Sequence, residues 1–349
     1  MTNPVDLGVG IIGTGLSATM HVQALASVPG VRVLAVAGTT PEKAAEFATR
    51  YQIPHAVVGG EKLLALPGID AIHLCTPPFA REEYVRMAAA KGVHVLIEKP
   101  MARTLAEADR IIAVCREAGI TLGALFQFRF TPLPRQIKHD LEAGKLGHIF
   151  LADCYAKWWR EPAYYAGSSW RGRRDLEGGA VLINQAIHSI DLLQWLAGPV
   201  REVAGRVATA VHQIEMEDVA AATFTFASGA FGVFEASTAT YPGYAERIEL
   251  HGERGSLILN QGQGIAEWHL KDSEPERVVA ADQRNDASRD PSKMSLVGHV
   301  AEFTDFYAAL REGRAPAIDG REGRKALEIV EAIQRSSDQE GRPVRLPLE

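Results

Sequence analysis

The chain has the composition of an ordinary soluble protein, with 349 residues of which 46% are hydrophobic and 23% are charged. Domains usually contain about 100–200 residues, so two domains are expected. The net charge is −6, and acidic and basic residues are interspersed. This balance gives no electrostatic reason to expect nucleic acid or an anionic membrane as a partner, and a small-molecule ligand is expected instead.

Cysteine usage and the N-terminal residues indicate the compartment. Cys75, Cys115 and Cys154 are widely spaced in apolar surroundings, which excludes a CxxC metal motif and a disulfide framework. We expect them to be reduced core residues. No basic leader segment opens the chain, and no apolar run approaches the length of a membrane span. The sequence therefore predicts a cytoplasmic protein without a membrane anchor.

The first third of the chain has a repeating strand and helix pattern. Over residues 7–124, short apolar, β-branched runs alternate with segments of helical periodicity. Continuous apolar runs are typical of strands that are buried on both faces of a parallel sheet. The pattern predicts a parallel sheet covered by helices, in a first domain of residues 1–122.

The pattern changes after Phe126. An aromatic, arginine-rich region at 155–174 is followed over 200–269 by long segments of alternating polarity, which predict an antiparallel meander. A polar loop is expected at 282–293, and two segments of helical periodicity end the chain. We therefore predict that residues 123–349 form an α+β domain on an open, mainly antiparallel sheet.

A GxGxxA motif lies directly after the first predicted strand and before a helical segment, the context that a Rossmann dinucleotide-binding motif requires. Gly13 allows the tight turn, Gly15 lets backbone amides approach a pyrophosphate, and Ala18 permits close helix packing. The residues predicted to bind NAD(P) in this loop are Gly13, Thr14, Gly15, Leu16, Ser17 and Ala18. A glycine-rich turn without a ligand is the alternative.

The end of the second predicted strand lacks the acidic residue that would bind the ribose 2′-hydroxyl of NAD. Thr39, Thr40 and Lys43 stand there instead, and they are able to donate hydrogen bonds to a 2′-phosphate. The sequence therefore does not decide whether the cofactor is NAD or NADP. Alternatively, Thr40 is the N-cap and Pro41 the first residue of a helix, without any contact to the cofactor.

The segment VHVLIEKPMA places Glu98 and Lys99 at the carboxyl end of a buried parallel strand, where open α/β sheets bind their ligands. Burial beside a positively charged oxidised nicotinamide disfavours an ammonium group, which suits Lys99 to exchange a proton with a substrate hydroxyl or carbonyl. Glu98 is expected to orient Lys99 or to contact the nicotinamide, and Glu98 and Lys99 are both predicted cofactor-binding residues. From position alone, a surface ion pair is the alternative.

Asn184, His188 and Asp191 are spaced i, i+4 and i+7, so they share one polar face if the segment is helical. An imidazole exchanges protons near neutral pH, and the neighbouring Asp191 is suited to set the tautomer of His188. The alternative is a hydrogen-bonded core histidine without a catalytic role.

Together these motifs resemble the glucose-fructose oxidoreductase, inositol dehydrogenase and rhizopine catabolism family, written Gfo/Idh/MocA. The resemblance covers nearly the whole chain and rests on the segments IIGTGLSA, CTPP, HVLIEKPMA, FQFRFTP and GGAVLINQAIHSIDLLQWLAG. It implies that His188 is a catalytic acid/base and that Asn184 occupies the position of the family's frequent aspartate. Because an amide does not exchange protons near pH 7, Asn184 is expected to bind a substrate hydroxyl.

The same resemblance implies further contacts. Thr76, Pro77 and Pro78 are expected to form a loop against the cofactor, whereas Arg81 stands where relatives commonly have a histidine. Residues 155–174 offer aromatic, hydroxyl and guanidinium groups that suit a polyhydroxylated ring. The residues predicted to bind substrate are Asn184, Asp191, Trp170, Arg171, Tyr155 and Gln127. For the aromatic residues, packing or a subunit interface is the alternative.

The sequence thus predicts an NAD(P)-dependent oxidoreductase, without a metal site, that transfers a hydride between nicotinamide and a secondary alcohol or ketone of a sugar, cyclitol or nucleotide sugar. Lys99 and His188 are the predicted proton-transfer groups. Two alternatives stay open, a redox-neutral NAD-dependent glycosidase of similar fold and a non-catalytic dinucleotide-binding sensor. The resemblance also implies a homodimer or homotetramer formed through the C-terminal sheet.

Overall fold

The structure is a computed structural model that describes residues 6–280 and 295–348. The polar loop expected at 282–293 lies outside the described residues. None of the described helices combines the length and the apolar character that crossing a membrane requires.

The chain divides into two compact units. The first consists of Met1–Gln127 and Leu296–Arg324, and the second consists of Phe128–Ser295 and Lys325–Glu349. Residues 296–324 therefore belong to the first unit. The predicted division at residue 123 assigns them to the second domain instead.

A parallel sheet forms the first unit. Its strands are β1 (Leu7–Ile12), β2 (Val31–Gly38), β3 (His55–Val58), β4 (Ala71–Leu74), β5 (His94–Ile97) and β6 (Leu122–Ala124). They pair in the order β3-β2-β1-β4-β5-β6, and every pairing is parallel. The predicted Rossmann sheet is confirmed. Its strand order reverses between β1 and β4, and ligands of open α/β sheets bind beyond the carboxyl ends of the strands at such a point.

The helices of this unit pack against the sheet or against one another. They are α1 (Leu16–Leu25), α2 (Pro41–Tyr51), α3 (Gly60–Leu64), α4 (Arg81–Ala90), α5 (Leu105–Glu117), α10 (Val297–Glu312) and the start of α11 (Gly320–Asp338). Because helices cover it, β4 is buried at all its residues, which explains its continuous apolar sequence. Phe303, Phe306 and Tyr307 of α10 pack in the same hydrophobic core as residues of β1 and α1.

A nine-stranded sheet forms the second unit. Its strands are β7 (Ile149–Lys157), β8 (Val200–Ala208), β9 (Val219–Phe226), β10 (Phe231–Ser237), β11 (Arg247–Gly252), β12 (Gly255–Asn260), β13 (Ile265–Leu270), β14 (Glu276–Val279) and β15 (Val344–Arg345). The order is β14-β13-β12-β11-β7-β10-β9-β8-β15, and all pairings are antiparallel except that of β7 with β10. The predicted mainly antiparallel sheet is confirmed.

The two faces of this second sheet differ. The helices of the unit before β8 are α6 (Pro132–Glu142), α7 (Pro162–Ala166), α8 (Arg174–Glu177) and α9 (Ile187–Ala197). Helix α9 packs on β7 and β11, and the Sγ atom of Cys154 lies 3.9 Å from the carbonyl oxygen of Ser189. Alternate residues point to the opposite, outer face, where Phe231 is 66% exposed and Val233 is 37% exposed.

Candidate active site

The glycine-rich turn after β1 has the geometry of a dinucleotide cradle. Gly13 has a φ of +121°, and a Cβ atom on it would lie 2.5 Å from the carbonyl oxygen of Cys75, so glycine is required there. A Cβ atom on Gly15 would meet nothing within 4 Å, which leaves open space beside the backbone. Gly15 precedes α1, and no described side chain caps that helix. The first-turn amides are therefore available to an anion, while Ala18 is fully buried, as its packing role predicts.

The loop after β4 also fits a bound cofactor. The hydroxyl of Thr76 is buried and has no hydrogen-bond partner among the described residues. Buried polar groups usually have a partner, so an unpartnered hydroxyl beside the cradle is consistent with a ligand at this edge of the sheet. The residues present at the carboxyl ends of β1 and β4 therefore fit a dinucleotide.

At the end of β2, Thr40 is the N-cap of α2. Its side-chain oxygen accepts a hydrogen bond from the backbone N–H of Lys43 at 3.3 Å, and Pro41 is the first residue of the helix. This is the helix-capping alternative, and it explains Thr40 without a cofactor. Thr39 and the side chain of Lys43 are exposed, so their predicted contact with a 2′-phosphate stays a prediction.

Arg81 joins the two loops that carry the CTPP and EKP motifs. Its side chain is 4% exposed, and its Nε and Nη2 atoms donate to the carbonyl oxygen of Thr76 at 3.0 and 2.7 Å. The Nη1 atom donates to the carbonyl oxygens of Glu98 and Pro100. Burial lowers the pKa of Arg81 to about 10, against the opposing effects of Glu98 and Cys75, so it stays charged at neutral pH. The sequence revealed Arg81 only as a departure from a family pattern.

Replacing Arg81 with methionine is expected to lower the free energy of unfolding by about 3 kcal/mol, because buried carbonyl groups lose their donors and Glu98 loses a nearby positive charge. Chemical denaturation measures this loss. Arg86→Met is the matched control on the same helix, because Arg86 forms an exposed pair with Glu82, and its cost should stay below about 1 kcal/mol. Equal losses in the two variants would contradict the role given to Arg81.

Glu98 is a buried carboxylate and not part of a surface ion pair. It is 6% exposed; its Oε1 atom lies 3.1 Å from Nε2 of His21, and its Oε2 atom accepts from the backbone N–H of Lys99 at 3.1 Å. Burial alone would raise its pKa, but interactions with His21, then the charges of Lys99 and Arg81, hold the pKa of Glu98 well below its usual range. The side chain of Lys99 is half-buried at the carboxyl end of β5.

The segment that carries His188 is not one continuous α-helix. Val181–Gln185 is a π-helical turn, and α9 begins at Ile187. The predicted helical face shared by residues 184, 188 and 191 is therefore corrected, because Asn184 lies in the π-helical turn. Such turns commonly occur at functional sites. His188 is 4% exposed, and its ring centroid lies 5.1 Å from that of Phe128.

Buried acidic residues position this segment. Both carboxylate oxygens of Asp191 accept from Arg129, at 2.8 and 2.6 Å, and both side chains are buried. Glu177, also buried, accepts from the side-chain amide of Asn184 and from the backbone N–H of Gly172. Glu177 was missed by sequence reasoning, since it stands in a charged stretch that resembles an exposed loop.

The predicted substrate contacts fall into two groups. Trp170 and Arg171 are half-buried, and the guanidinium carbon of Arg171 lies 4.8 Å from the ring centroid of Trp170 and 4.5 Å from that of Tyr164. The hydroxyl of Tyr164 accepts from Nε2 of Gln185 at 3.1 Å, which connects this group to the π-helical turn. The structure therefore brings Trp170 and Arg171 together with the segment of Asn184.

Tyr155 and Gln127 lie elsewhere. Tyr155 pairs with Glu235 and Arg247 in the sheet register. The preceding residue, Cys154, contacts α9, so the side chain of Tyr155 points to the opposite, outer face. The sheet therefore separates Tyr155 from the helix of His188, because successive side chains alternate between faces. Gln127, 2% exposed, lies in a short 3₁₀ turn that begins after β6.

Among the described residues, one group of side chains has the spacing of metal ligands, on β7 and β11. It consists of Asp153, Glu249 and His251. Arg247 forms an ion pair with Glu249 at 2.6 Å, so that carboxylate already has a counter-charge. The sequence did not predict this cluster, because its members are far apart in the chain.

The fold and the glycine cradle define a dinucleotide-binding protein, and the comparison with family descriptions gives its class. Residues 7–126 match the oxidoreductase family with an NAD-binding Rossmann fold, and residues 135–258 match the GFO/IDH/MocA C-terminal domain. The protein is therefore an NAD-binding oxidoreductase. It belongs to the GFO/IDH/MocA family, as its sequence motifs predicted.

Relatives of known name extend over nearly the full length of the chain. The oxidoreductase YrbE of Bacillus subtilis is 30% identical over 339 residues, covering 94% of this chain and 93% of the relative. Myo-inositol 2-dehydrogenase of Thermotoga maritima is 25% identical over 349 residues, covering 97% and 98%. The WlbA dehydrogenase of Bordetella pertussis, solved in complex with NADH and UDP-GlcNAcA, superposes with a TM-score of 0.85 at 28% identity, covering 99% and 100%.

Proposed function

We propose that this protein transfers a hydride between nicotinamide and a secondary alcohol or ketone of a sugar, cyclitol or nucleotide sugar, with Lys99 and His188 as the proton-transfer groups. The observation that carries the proposal is the placement of Lys99, half-buried beside an ionised Glu98, at the carboxyl end of β5 in the sheet that bears the glycine cradle. Ligands of such sheets bind at that end.

The proposed chemistry divides between cofactor and protein. Bound NAD(P) supplies the hydride acceptor or donor at C4 of its nicotinamide. In alcohol oxidation, Lys99 or His188 takes the hydroxyl proton as the C–H hydride leaves, and ketone reduction reverses both transfers. Asn184, held by Glu177, binds a hydroxyl of the substrate, and Asp191 and Gln127 are further proposed contacts.

The substrate class rests on the side chains of the second unit and on the relatives. Trp170 and Arg171 offer an aromatic face and a guanidinium group, the combination that suits a polyhydroxylated ring. Of the relatives reported above, one is named as a myo-inositol 2-dehydrogenase and another was solved with NADH and UDP-GlcNAcA. These names favour a ring that carries several hydroxyl groups.

A cofactor-linked activity screen tests the proposal. The purified protein is titrated with NADH and with NADPH, and oxidation of inositols, free sugars and nucleotide sugars is followed by the absorbance of reduced nicotinamide. We expect net reduction of added NAD⁺ or NADP⁺ with at least one cyclic polyol. Conversion of a glycoside without net reduction would support the redox-neutral glycosidase instead, and cofactor binding without any conversion would support the sensor.

We also propose that the outer face of the second sheet forms a subunit interface. Phe231 and Val233 lie adjacent on that face and are substantially exposed, as is typical of apolar side chains that a second copy covers. Phe231→Glu is expected to shift the protein toward monomers, because burying the new carboxylate would cost several kcal/mol.

Sedimentation velocity measures this shift. Val211→Glu is the matched control, because Val211 is 61% exposed but lies in the segment between β8 and β9 and not on the strands of the outer face. A monomeric wild-type protein, or equal oligomer content in the two variants, would contradict the interface.

A further inference from the structure

A continuous line of buried polar side chains runs through the first unit and ends at Glu98. Oε1 of Glu98 lies 3.1 Å from Nε2 of His21; Nδ1 of His21 lies 2.7 Å from Nδ1 of His73; and Nε2 of His73 lies 2.8 Å from the hydroxyl of Tyr307. His21, His73 and Tyr307 are each 0% exposed. Neither the cofactor cradle nor the proposed proton transfer uses these three side chains.

The contact between the two imidazoles contains a single proton, because two N–H groups cannot face each other at 2.7 Å. Burial lowers the pKa of His73 well below its usual range, so His73 is neutral. Burial raises the pKa of Tyr307, so its hydroxyl keeps its proton. His73 and Tyr307 are therefore neutral hydrogen-bonding groups across the physiological pH range.

The hydrogen-bond geometry leaves two assignments of the proton between the imidazoles. His21 either donates from both ring nitrogens as a cation or is neutral and donates to Glu98 alone. A cation on a fully buried ring carries a desolvation cost that the neutral ring avoids. A neutral His21 that donates from Nε2 to Glu98 must accept at Nδ1, so His73 donates from Nδ1 and accepts at Nε2 from Tyr307.

We propose that His21, His73 and Tyr307 are positioning residues that direct a one-way series of hydrogen bonds onto Glu98. Tyr307 donates to His73, His73 donates to His21, and His21 donates to Glu98. The series keeps Glu98 ionised and orients its carboxylate, so that Oε2 accepts from the backbone N–H of Lys99. Its effect on catalysis rests on the proposed role of Lys99, but the direction of the hydrogen bonds does not.

Other titratable groups surround the series. Cys75, directly after β4, has a pKa raised well above its usual range by burial, so it stays a neutral thiol. Arg81 contributes a permanent positive charge from α4. On α10, the ring centroid of His299 lies 6.2 Å from that of His21, and Oε1 of Glu302 accepts from the backbone N–H of Phe126. Asp70 acts electrostatically on the hydroxyl of Tyr307.

The test is ¹⁵N NMR of the imidazole nitrogens in full-length protein labelled at histidine, because ring nitrogen shifts distinguish the two tautomers and the imidazolium. We expect the proton of His21 on Nε2 and that of His73 on Nδ1. An imidazolium at His21, or a His73 protonated at Nε2, would overturn the proposal. This measurement uses the unsubstituted protein and needs no activity, so failure of the proposed dehydrogenase reaction is distinguishable from failure of the hydrogen-bond direction.

Tyr307→Phe tests the consequence for Glu98. Without the hydroxyl, His73 is free to place its proton on Nε2, and His21 would then turn a lone pair toward Glu98. We expect the ¹⁵N spectrum to show that the tautomer populations of His21 and His73 shift toward this alternative. Tyr51→Phe is the control in the same core. Unchanged tautomer populations in Tyr307→Phe would show a purely structural role for the hydroxyl and overturn the proposal.

Discussion

Replacing Lys99 with alanine is expected to lower kcat for the cofactor-dependent reaction by about 10²- to 10⁴-fold, the usual contribution of a general acid or base. The affinity for NADH should fall much less than kcat, since the glycine cradle and the N-terminus of α1 are not altered. Stopped-flow measurement of hydride transfer, together with an NADH titration, separates the two effects.

Two controls define the role of Lys99. Lys99→Arg keeps a positive charge but cannot release a proton near neutral pH, so it should be nearly as slow as Lys99→Ala if proton transfer is the function. Lys91→Ala removes an exposed lysine just before β5, at the opposite end of the strand, and should keep full activity. If Lys99→Arg retains activity, the reaction requires the positive charge at position 99 and not proton transfer by Lys99.

Replacing His188 with glutamine is expected to reduce kcat to a similar extent, by about 10²- to 10⁴-fold, and to remove one limb of the pH profile. Glutamine keeps a hydrogen-bonding side chain of similar size on α9. His139→Gln, an exposed histidine on α6, is the control. If kcat falls by less than about twofold and the pH profile is unchanged, His188 is a core histidine without a catalytic role.

The double variant tests whether the two residues act on the same reaction step. Groups that act as a unit give strongly non-additive losses, so Lys99→Ala with His188→Gln should be little slower than the slower single variant. Multiplication of the two single losses would indicate independent roles. Far-ultraviolet circular dichroism and thermal unfolding of each variant check that the fold is retained.

Local sequence patterns were sufficient for the architecture. The apolar runs of the first 124 residues predicted strands buried on both faces, and the parallel sheet has that property, as β4 shows. Alternating polarity in β10 predicted a strand with one covered face, and Phe234 is buried while Phe231 is exposed. These predictions succeed because the polarity pattern of a strand depends on whether one or both faces of its sheet are covered by other elements.

Spacing along the chain was not sufficient for the site. A shared face for Asn184 and His188 required an α-helix through both residues, but Asn184 lies in a π-helical turn. The spacing of residues along the chain does not distinguish a π-helical turn from an α-helical one. The bidentate pair of Arg129 with Asp191 joins residues 62 positions apart. No local pattern identifies such partners.

By itself, the sequence determined the two sheets, the glycine cradle and the membership of an NAD-binding oxidoreductase family, because each depends on periodicity or on residues close together in the chain. Only the tertiary structure decided that Arg81 connects two loops, that Glu177 holds Asn184, and that polar contacts through two histidines connect Tyr307 with Glu98. Those contacts join distant segments in buried surroundings, where the low dielectric makes every polar group require a partner.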